Sequence, residues 1–255
     1  MIKRFRMVAG PNGSGKTTLI GWLTRDYAVN FYTMLNADDV FAEVRRTNRL
    51  FAPLPIDGAA LAAYVEDSGY DEREKAWFRS GEIVVKADCI RFNAPEAVNS
   101  YTVALLVNFL QDEFLNQGIS FSQETVFSHP SKVAVLAKAR EAGFRTNLYY
   151  VATDDAAINA DRVARRYAQG GHDVPQEKIA ARYGRSLVNI ASALPHLSRA
   201  FFFDNSNAEM RYLASYDENA GFVLHVPVAG LPFWFRHNVP QIRLPILAYN
   251  IPITF

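Results

Sequence analysis

Gly10-Pro11-Asn12-Gly13-Ser14-Gly15-Lys16-Thr17 fits the pattern G-x-x-x-x-G-K-S/T at every position. A strand-like run at 5–9 leads into it, and an amphipathic run with Leu19, Ile20, Trp22 and Leu23 leaves it. In that context the glycines let backbone N–H groups converge on a nucleotide β-phosphate at the positive end of the following helix. Lys16 is placed to reach the β- and γ-phosphates, and the Thr17 hydroxyl to ligate Mg²⁺. The predicted nucleotide-binding set is therefore Gly10 through Thr17 with Thr18 beside it, and the predicted ligands are ATP and Mg²⁺. The bland alternative, a glycine-rich turn with a chance Lys-Thr, does not account for the full octapeptide between a strand and a helix.

Outward from this loop, short strand-like runs alternate with longer helical patterns. Strands are expected at about 5–9, 31–35, 119–123, 147–152 and 200–203, and helices at about 16–26, 103–115, 131–142, 156–168 and 176–194. Such alternation predicts an α/β fold, a P-loop NTPase of the kinase-like, three-layer, mostly parallel kind. Residues 50–100 break the rhythm, with Pro53, Pro55, a charged run at 71–75 and a strand-like piece at 82–85. They are read as an insertion between the second and third core strands. The expected division is a core of 1–49 and 101–226, the insertion, and an extension over 227–255. That extension holds five of the 12 prolines and is expected to form irregular strands at a sheet edge.

Composition narrows the function classes. A formal net charge of +1 gives no global attraction to nucleic acid or lipid. The most apolar stretch, 222–235, is interrupted by His225, Pro227 and Pro232 and is too short to span a bilayer. With one cysteine, Cys89, no internal disulfide can form, which suits a reducing cytoplasm. No Asn-Lys-x-Asp segment reads guanine, and no Leu-Ser-Gly-Gly-Gln-type signature marks a transporter ATPase. No second His or Cys stands at zinc-ligand spacing from His172.

Three expected strands end in polar clusters: Asn36-Ala37-Asp38-Asp39, Glu124-Thr125 and Asp204-Asn205-Ser206. Ligands of open α/β sheets bind beyond these ends. Phosphoryl transfer to a hydroxyl needs a carboxylate to orient the acceptor and take its proton. Asp38 is read as that base, with Asp39 capping the helix that follows, since Asp commonly does so. Glu124 is read as a contact to the acceptor or to a metal-bound water, against a solvated loop carboxylate. Asp204 ends a run that suits either a metal-binding strand or a core strand closed by an Asp-Asn turn. Arg162, Arg165 and Arg166 share one helical face, Gly170-Gly171-His172 breaks that helix, and Lys178, Arg182 and Arg185 follow on the next. Two basic helices around a glycine turn predict a lid that closes guanidinium groups on a triphosphate, with Arg162 and Arg166 catalytic and Arg182 toward the substrate. A solvated basic face is the alternative.

The ordered set of Ala9–Thr18, Asn36-Ala37-Asp38, Phe121-Ser122-Gln123-Glu124-Thr125, 162–175, Tyr183-Gly184-Arg185-Ser186-Leu187 and Asp204-Asn205-Ser206 resembles the zeta-toxin-like P-loop phosphotransferases. The resemblance covers about 1–42 and 103–206. It implies a compact kinase with Lys16 and lid arginines on the ATP phosphates, Asp38 as general base and Glu124 at the acceptor. The acceptor it implies is nucleotide-like, the sugar hydroxyl of UDP-N-acetylglucosamine in founding members, and the implied protein partner is a small antitoxin. Two departures stand on the acceptor side: Val126 where the toxins tend to carry threonine, and the 50–100 insertion. They leave room for another metabolite or a dinucleotide cofactor as acceptor, or for a nucleotide-timed switch with a protein partner.

Overall fold

The computed structural model describes residues 2–52, 54–86, 89–169 and 175–239. In chain order its elements are β1 (Arg4–Ala9), α1 (Lys16–Tyr27), β2 (Thr33–Leu35), α2 (Ala37–Thr47), β3 (Arg49–Phe51), α3 (Gly58–Asp67), α4 (Glu72–Arg79), β4 (Ile83–Lys86) and β5 (Cys89–Phe92). They continue with α5 (Ser100–Gln117), β6 (Phe121–Thr125), α6 (Ser131–Glu141), β7 (Arg145–Ala152), α7 (Ala156–Ala168), α8 (Gln176–Ala193), β8 (Arg199–Asp204), β9 (Arg211–Asp217), β10 (Gly221–Leu224) and α9 (Phe233–Asn238). The chain divides into two compact units, one of residues 1–32 and 122–255, the other of residues 33–121.

In the first unit, strands run in the order β10-β9-β8-β7-β1-β6. β1 lies parallel to β7 and β7 parallel to β8, while β9 and β10 extend the sheet antiparallel. β1 and β7 are buried along almost their whole length, as strands covered on both faces are, although they carry polar residues such as Arg6 and Asn147. Met7, Val8, Leu148, Val151 and Phe202 are fully buried. The fold is α/β with a mostly parallel central sheet flanked by helices, of the P-loop kinase-like type expected from the sequence.

The second unit is larger than the expected insertion. It begins at Thr33 and takes in α2 and α5, which pack on each other, so the segment 103–115 belongs here and not to the sheet of the first unit. Its own sheet is antiparallel, in the order β3-β5-β4. α5 buries Leu106, Phe109, Leu110 and Phe114, and its ends are set by side-chain chemistry. Asn99 accepts from the N–H groups of Tyr101 and Thr102, and Gly118 closes the helix at φ +68°.

Two local expectations are corrected. The residue capping α2 is Asn36, whose side chain accepts from Asp38 N at 2.9 Å. Asp39 lies inside the first turn instead, so it is not the cap. Asn caps as well as Asp, and the chain enters the helix at Ala37, three residues before the run Val40-Phe41-Ala42. The described part of the C-terminal extension is helical, a 3₁₀ turn at Val228–Gly230 and then α9, and not strand-like. Pro232 sits just before α9, where a missing N–H costs nothing. The edge strands are β9 and β10, just upstream.

Asn36→Ala should therefore lower stability by about 1 kcal/mol, the usual cost of losing such a cap. Asp39→Asn should leave it nearly unchanged. Urea denaturation of both variants checks the assignment.

Candidate nucleotide-binding site

β1 delivers the chain to Gly10, and the loop ends where α1 begins at Lys16. Two of its glycines are required by both conformation and space. Gly13 has φ +74°, and a Cβ there would lie 2.6 Å from the Asn159 carbonyl oxygen. Gly15 has φ +97°, and its Cβ would lie 2.3 Å from Asn205 Nδ2. Any other residue would be strained and would push out a neighbour.

Those two neighbours hold the loop by its carbonyls, and a third contact holds its first amide. Asn159 Nδ2, on the first turn of α7, donates to Asn12 O at 2.6 Å. Asn205 Nδ2, just past β8, donates to Ser14 O at 2.9 Å. Gly10 N donates to Thr125 O, the last residue of β6, at 3.3 Å. Asn159 is itself fully buried and accepts from the Thr153 hydroxyl, while Thr153 O accepts from Tyr183 OH at 2.7 Å. The ends of β6, β7 and β8 and the helices α7 and α8 thus all bear on one loop. The carbonyls of Asn12 and Ser14 point outward to these donors, away from the inside of the loop.

Facing that inside are cationic and polar groups. Lys16 is 9% exposed and its Nζ lies 3.1 Å from the carbonyl oxygens of both Gly10 and Pro11. Ser14 Oγ, Asn12 Oδ1 and Arg162 Nη1 are buried without a hydrogen-bond partner among the described residues. Leaving a buried polar atom unsatisfied costs about 1–3 kcal/mol each. Three together on a glycine loop and the helix that braces it fit a site built for a polyphosphate. Thr17 and Thr18 are exposed at the start of α1.

Arg162 stands three residues beyond Asn159 on α7, hence on the helical face turned to the loop. Arg166 continues that face and is exposed, whereas Arg165 is spent on an ion pair with Asp161 at 2.8 Å. Arg182 is half-buried on α8, which packs against α7. The turn Gly170-Gly171-His172 lies outside the described residues.

Asp204 resolves as a core carboxylate. It is 1% exposed and accepts from Arg211 Nη2 at 2.8 Å, Ser206 Oγ at 2.6 Å and Trp234 Nε1 at 3.3 Å. Both its oxygens are engaged in tying β8 to β9 and α9. Glu124 lies within β6 and not beyond it, because the strand runs on through Thr125. After it the chain is tightly held: Phe127 is fully buried at φ +62°, and its carbonyl accepts from Asn189 Nδ2 at 2.8 Å. Lys132 follows on α6, its ammonium pKa lowered by burial. Asp38 and Asp39 belong to the other unit, exposed on the first turn of α2. The Asp39 carboxyl is raised above its ordinary value, by partial desolvation first and by the adjacent Asp38 charge second.

Sequence reading found the loop and missed Asn159, Asn205 and Asn189, which carry no motif of their own. Asn205 was in view only as part of a strand-end cluster.

Residues 6–185 match the family model AAA_33, described as an AAA domain. The chain belongs to that family. No curated protein matches this AAA domain. Among solved structures it is similar to the AvrRxo1-ORF1:AvrRxo1-ORF2 complex with sulphate ions, at 14% identity and a TM-score of 0.51, over 86% of this chain and 62% of that one. The AvrRxo1-ORF1:-ORF2 structure with ATP matches at 14% identity and a TM-score of 0.51, over 88% and 61%. The PezAT chromosomal toxin–antitoxin system of the human pathogen Streptococcus pneumoniae matches at 12% identity and a TM-score of 0.48, over 80% and 68%. For the AvrRxo1 structures, at such identities, the likeness is one of fold. The AAA domain spans about three-fifths of the AvrRxo1 chains it matches. Among the described residues, no helix is long and apolar enough to cross a membrane.

Lys16→Ala should weaken ATP binding roughly ten- to a hundredfold, the loss of one charge-assisted contact. Asn205→Ala should weaken it about fivefold, one neutral hydrogen bond behind the loop, although Asn205 need not touch the nucleotide. Calorimetric titration of both variants decides; wild-type affinity for Asn205→Ala would mean that the loop holds its shape alone.

Proposed function

We propose that the protein is an ATP- and Mg²⁺-dependent kinase of a small molecule, acting on a hydroxyl of a nucleotide-like or nucleotide-sugar-like acceptor in the cytoplasm. The observation that carries this reading is the braced glycine loop with Lys16, Ser14 and Arg162 gathered on it. In this reading Lys16 and the loop amides bind the β- and γ-phosphates. Thr17 would hold Mg²⁺, which would neutralise phosphate charge. Arg162 and Arg166, with Arg182 from α8, offset the charge that develops on the transferred group. Asp38 accepts the proton of the acceptor hydroxyl as its oxygen bonds to the γ-phosphorus and the bond from that phosphorus to the β-γ bridging oxygen breaks, releasing ADP. Glu124 and Asp39 contact the acceptor.

An inhibitory protein partner of antitoxin type belongs to the same proposal, with the paired ORF1:ORF2 chains of the AvrRxo1 complex as the structural parallel.

Asp38→Asn keeps shape and removes charge. It should cut transfer by roughly a hundred- to ten-thousandfold, the range of general acid–base assistance, with ATP affinity nearly unchanged. Single-turnover kinetics beside calorimetry separate the two effects. An essential Asp39 beside a dispensable Asp38 would move the base by one residue, and full activity in both variants would remove it from this helix. Arg162→Ala and Arg166→Ala should lower turnover more than ATP affinity; unchanged turnover in both would mark a solvated face.

A further inference from the structure

Arg6 sits in the middle of β1 and is only 7% exposed. Its Nη1 donates to Tyr149 OH at 2.7 Å, and its guanidinium carbon lies 6.0 Å, 5.9 Å and 5.8 Å from the ring centroids of Phe31, Tyr32 and Tyr149. Its Nε is buried with no partner, and no carboxylate pairs with it among the described residues. Buried arginines are nearly always paired, because an uncompensated charge out of water is costly. Aromatic faces attract a cation but do not satisfy its N–H groups.

Strand register shows that Arg6 is one of a set. Arg4 faces Arg145 across β1 and β7, and Arg6 faces Asn147, which faces Arg199 on β8. Side chains alternate along a strand, so Arg4, Arg6, Arg145, Asn147, Tyr149 and Arg199 share one face of the sheet. The charges of Arg6, Arg199 and Arg4 all act on the Tyr149 hydroxyl, whose pKa is raised by burial. Asp217, the carboxylate in these rows, is paired with Arg199 at 3.1 Å and not with Arg6. Asn147 Oδ1 is also buried and without a partner. Arg6 precedes Gly10 by four residues, about 13 Å along a strand, so this cluster is separate from the nucleotide loop.

We propose that the Arg6 cluster is a second anion-binding site, for a phosphate group that carries a proton. Fork-shaped guanidinium donors match a tetrahedral oxyanion with several oxygens. The unpartnered Asn147 oxygen is an acceptor, so it favours hydrogen phosphate or a phosphomonoester, which can donate a hydrogen bond, over sulfate, which cannot. Tyr32 is the exposed member of the aromatic surround, 38% accessible and held at φ +55°. Non-glycine residues adopt that conformation only when their surroundings impose it. Free phosphate and the phosphate of a nucleotide share this chemistry.

The test uses the full-length Lys16→Ala protein, in which the nucleotide loop is weakened. Inorganic phosphate should bind this protein by calorimetry and raise its Tm, with sulfate at least tenfold weaker. Adding Arg6→Met should lower phosphate affinity at least tenfold and remove the Tm shift. Should that variant not fold, Arg6→Lys keeps the charge and loses the fork, and it should bind at least fivefold more weakly. AMP tighter than phosphate identifies a nucleotide as the source, and AMP no tighter identifies free phosphate. Phosphate binding that is absent, equal to that of sulfate, or equal with and without the Arg6 substitution overturns the proposal.

Discussion

A chain can turn several backbone amides toward one phosphate only if the matching carbonyls are satisfied elsewhere. Here that condition rests on two asparagines. Asn159 and Asn205 donate to the carbonyls of Asn12 and Ser14 from behind the loop, and each fills the space that a side chain at Gly13 or Gly15 would need. Glycine in the loop and asparagine behind it are one device: the first permits the backbone path, the second fixes it. Because Asn205 follows β8 and Asn159 lies on α7, the loop inherits its shape from the parallel strand order.

The same economy recurs beyond the loop. Asp204 draws β9 and α9 to the end of β8 through Arg211, Ser206 and Trp234, which holds the strand end from which Asn205 reaches out. Tyr183 on α8 reaches Thr153, which in turn orients Asn159. A buried network of this kind is valuable only when every member is satisfied. The polar atoms left over among the described residues therefore carry information. Ser14, Asn12 and Arg162 leave theirs at the loop, Arg6 and Asn147 leave theirs on the sheet, and Gln111, Gln123 and Arg211 leave one each elsewhere.

Much of this was legible in the sequence. The loop motif, the strand–helix alternation and the helix over 156–168 depend on local periodicity and turn chemistry, which neighbouring residues carry. The second unit was harder to bound, because α2 and α5 read as ordinary helices of an alternating chain and only their mutual packing separates them. The cap of α2 was displaced from Asn36 to Asp39 because four polar residues in a row offer several plausible starts. Asn159 and Asn205 could not be found, since their partners lie 147 and 191 residues away in the chain. Arg6 was equally silent: an arginine inside a strand looks like an exposed position until register and burial are known.

The central claim is that the braced loop serves phosphoryl transfer to a small molecule and not mere nucleotide hydrolysis. Phosphorus NMR of ATP and Mg²⁺ incubated with the protein and a pool of small metabolites tests it most directly. Transfer predicts that the γ-phosphate resonance declines as a new phosphomonoester resonance grows in equal amount, only when the pool is present. Release of inorganic phosphate alone, at a rate indifferent to the pool, would contradict it.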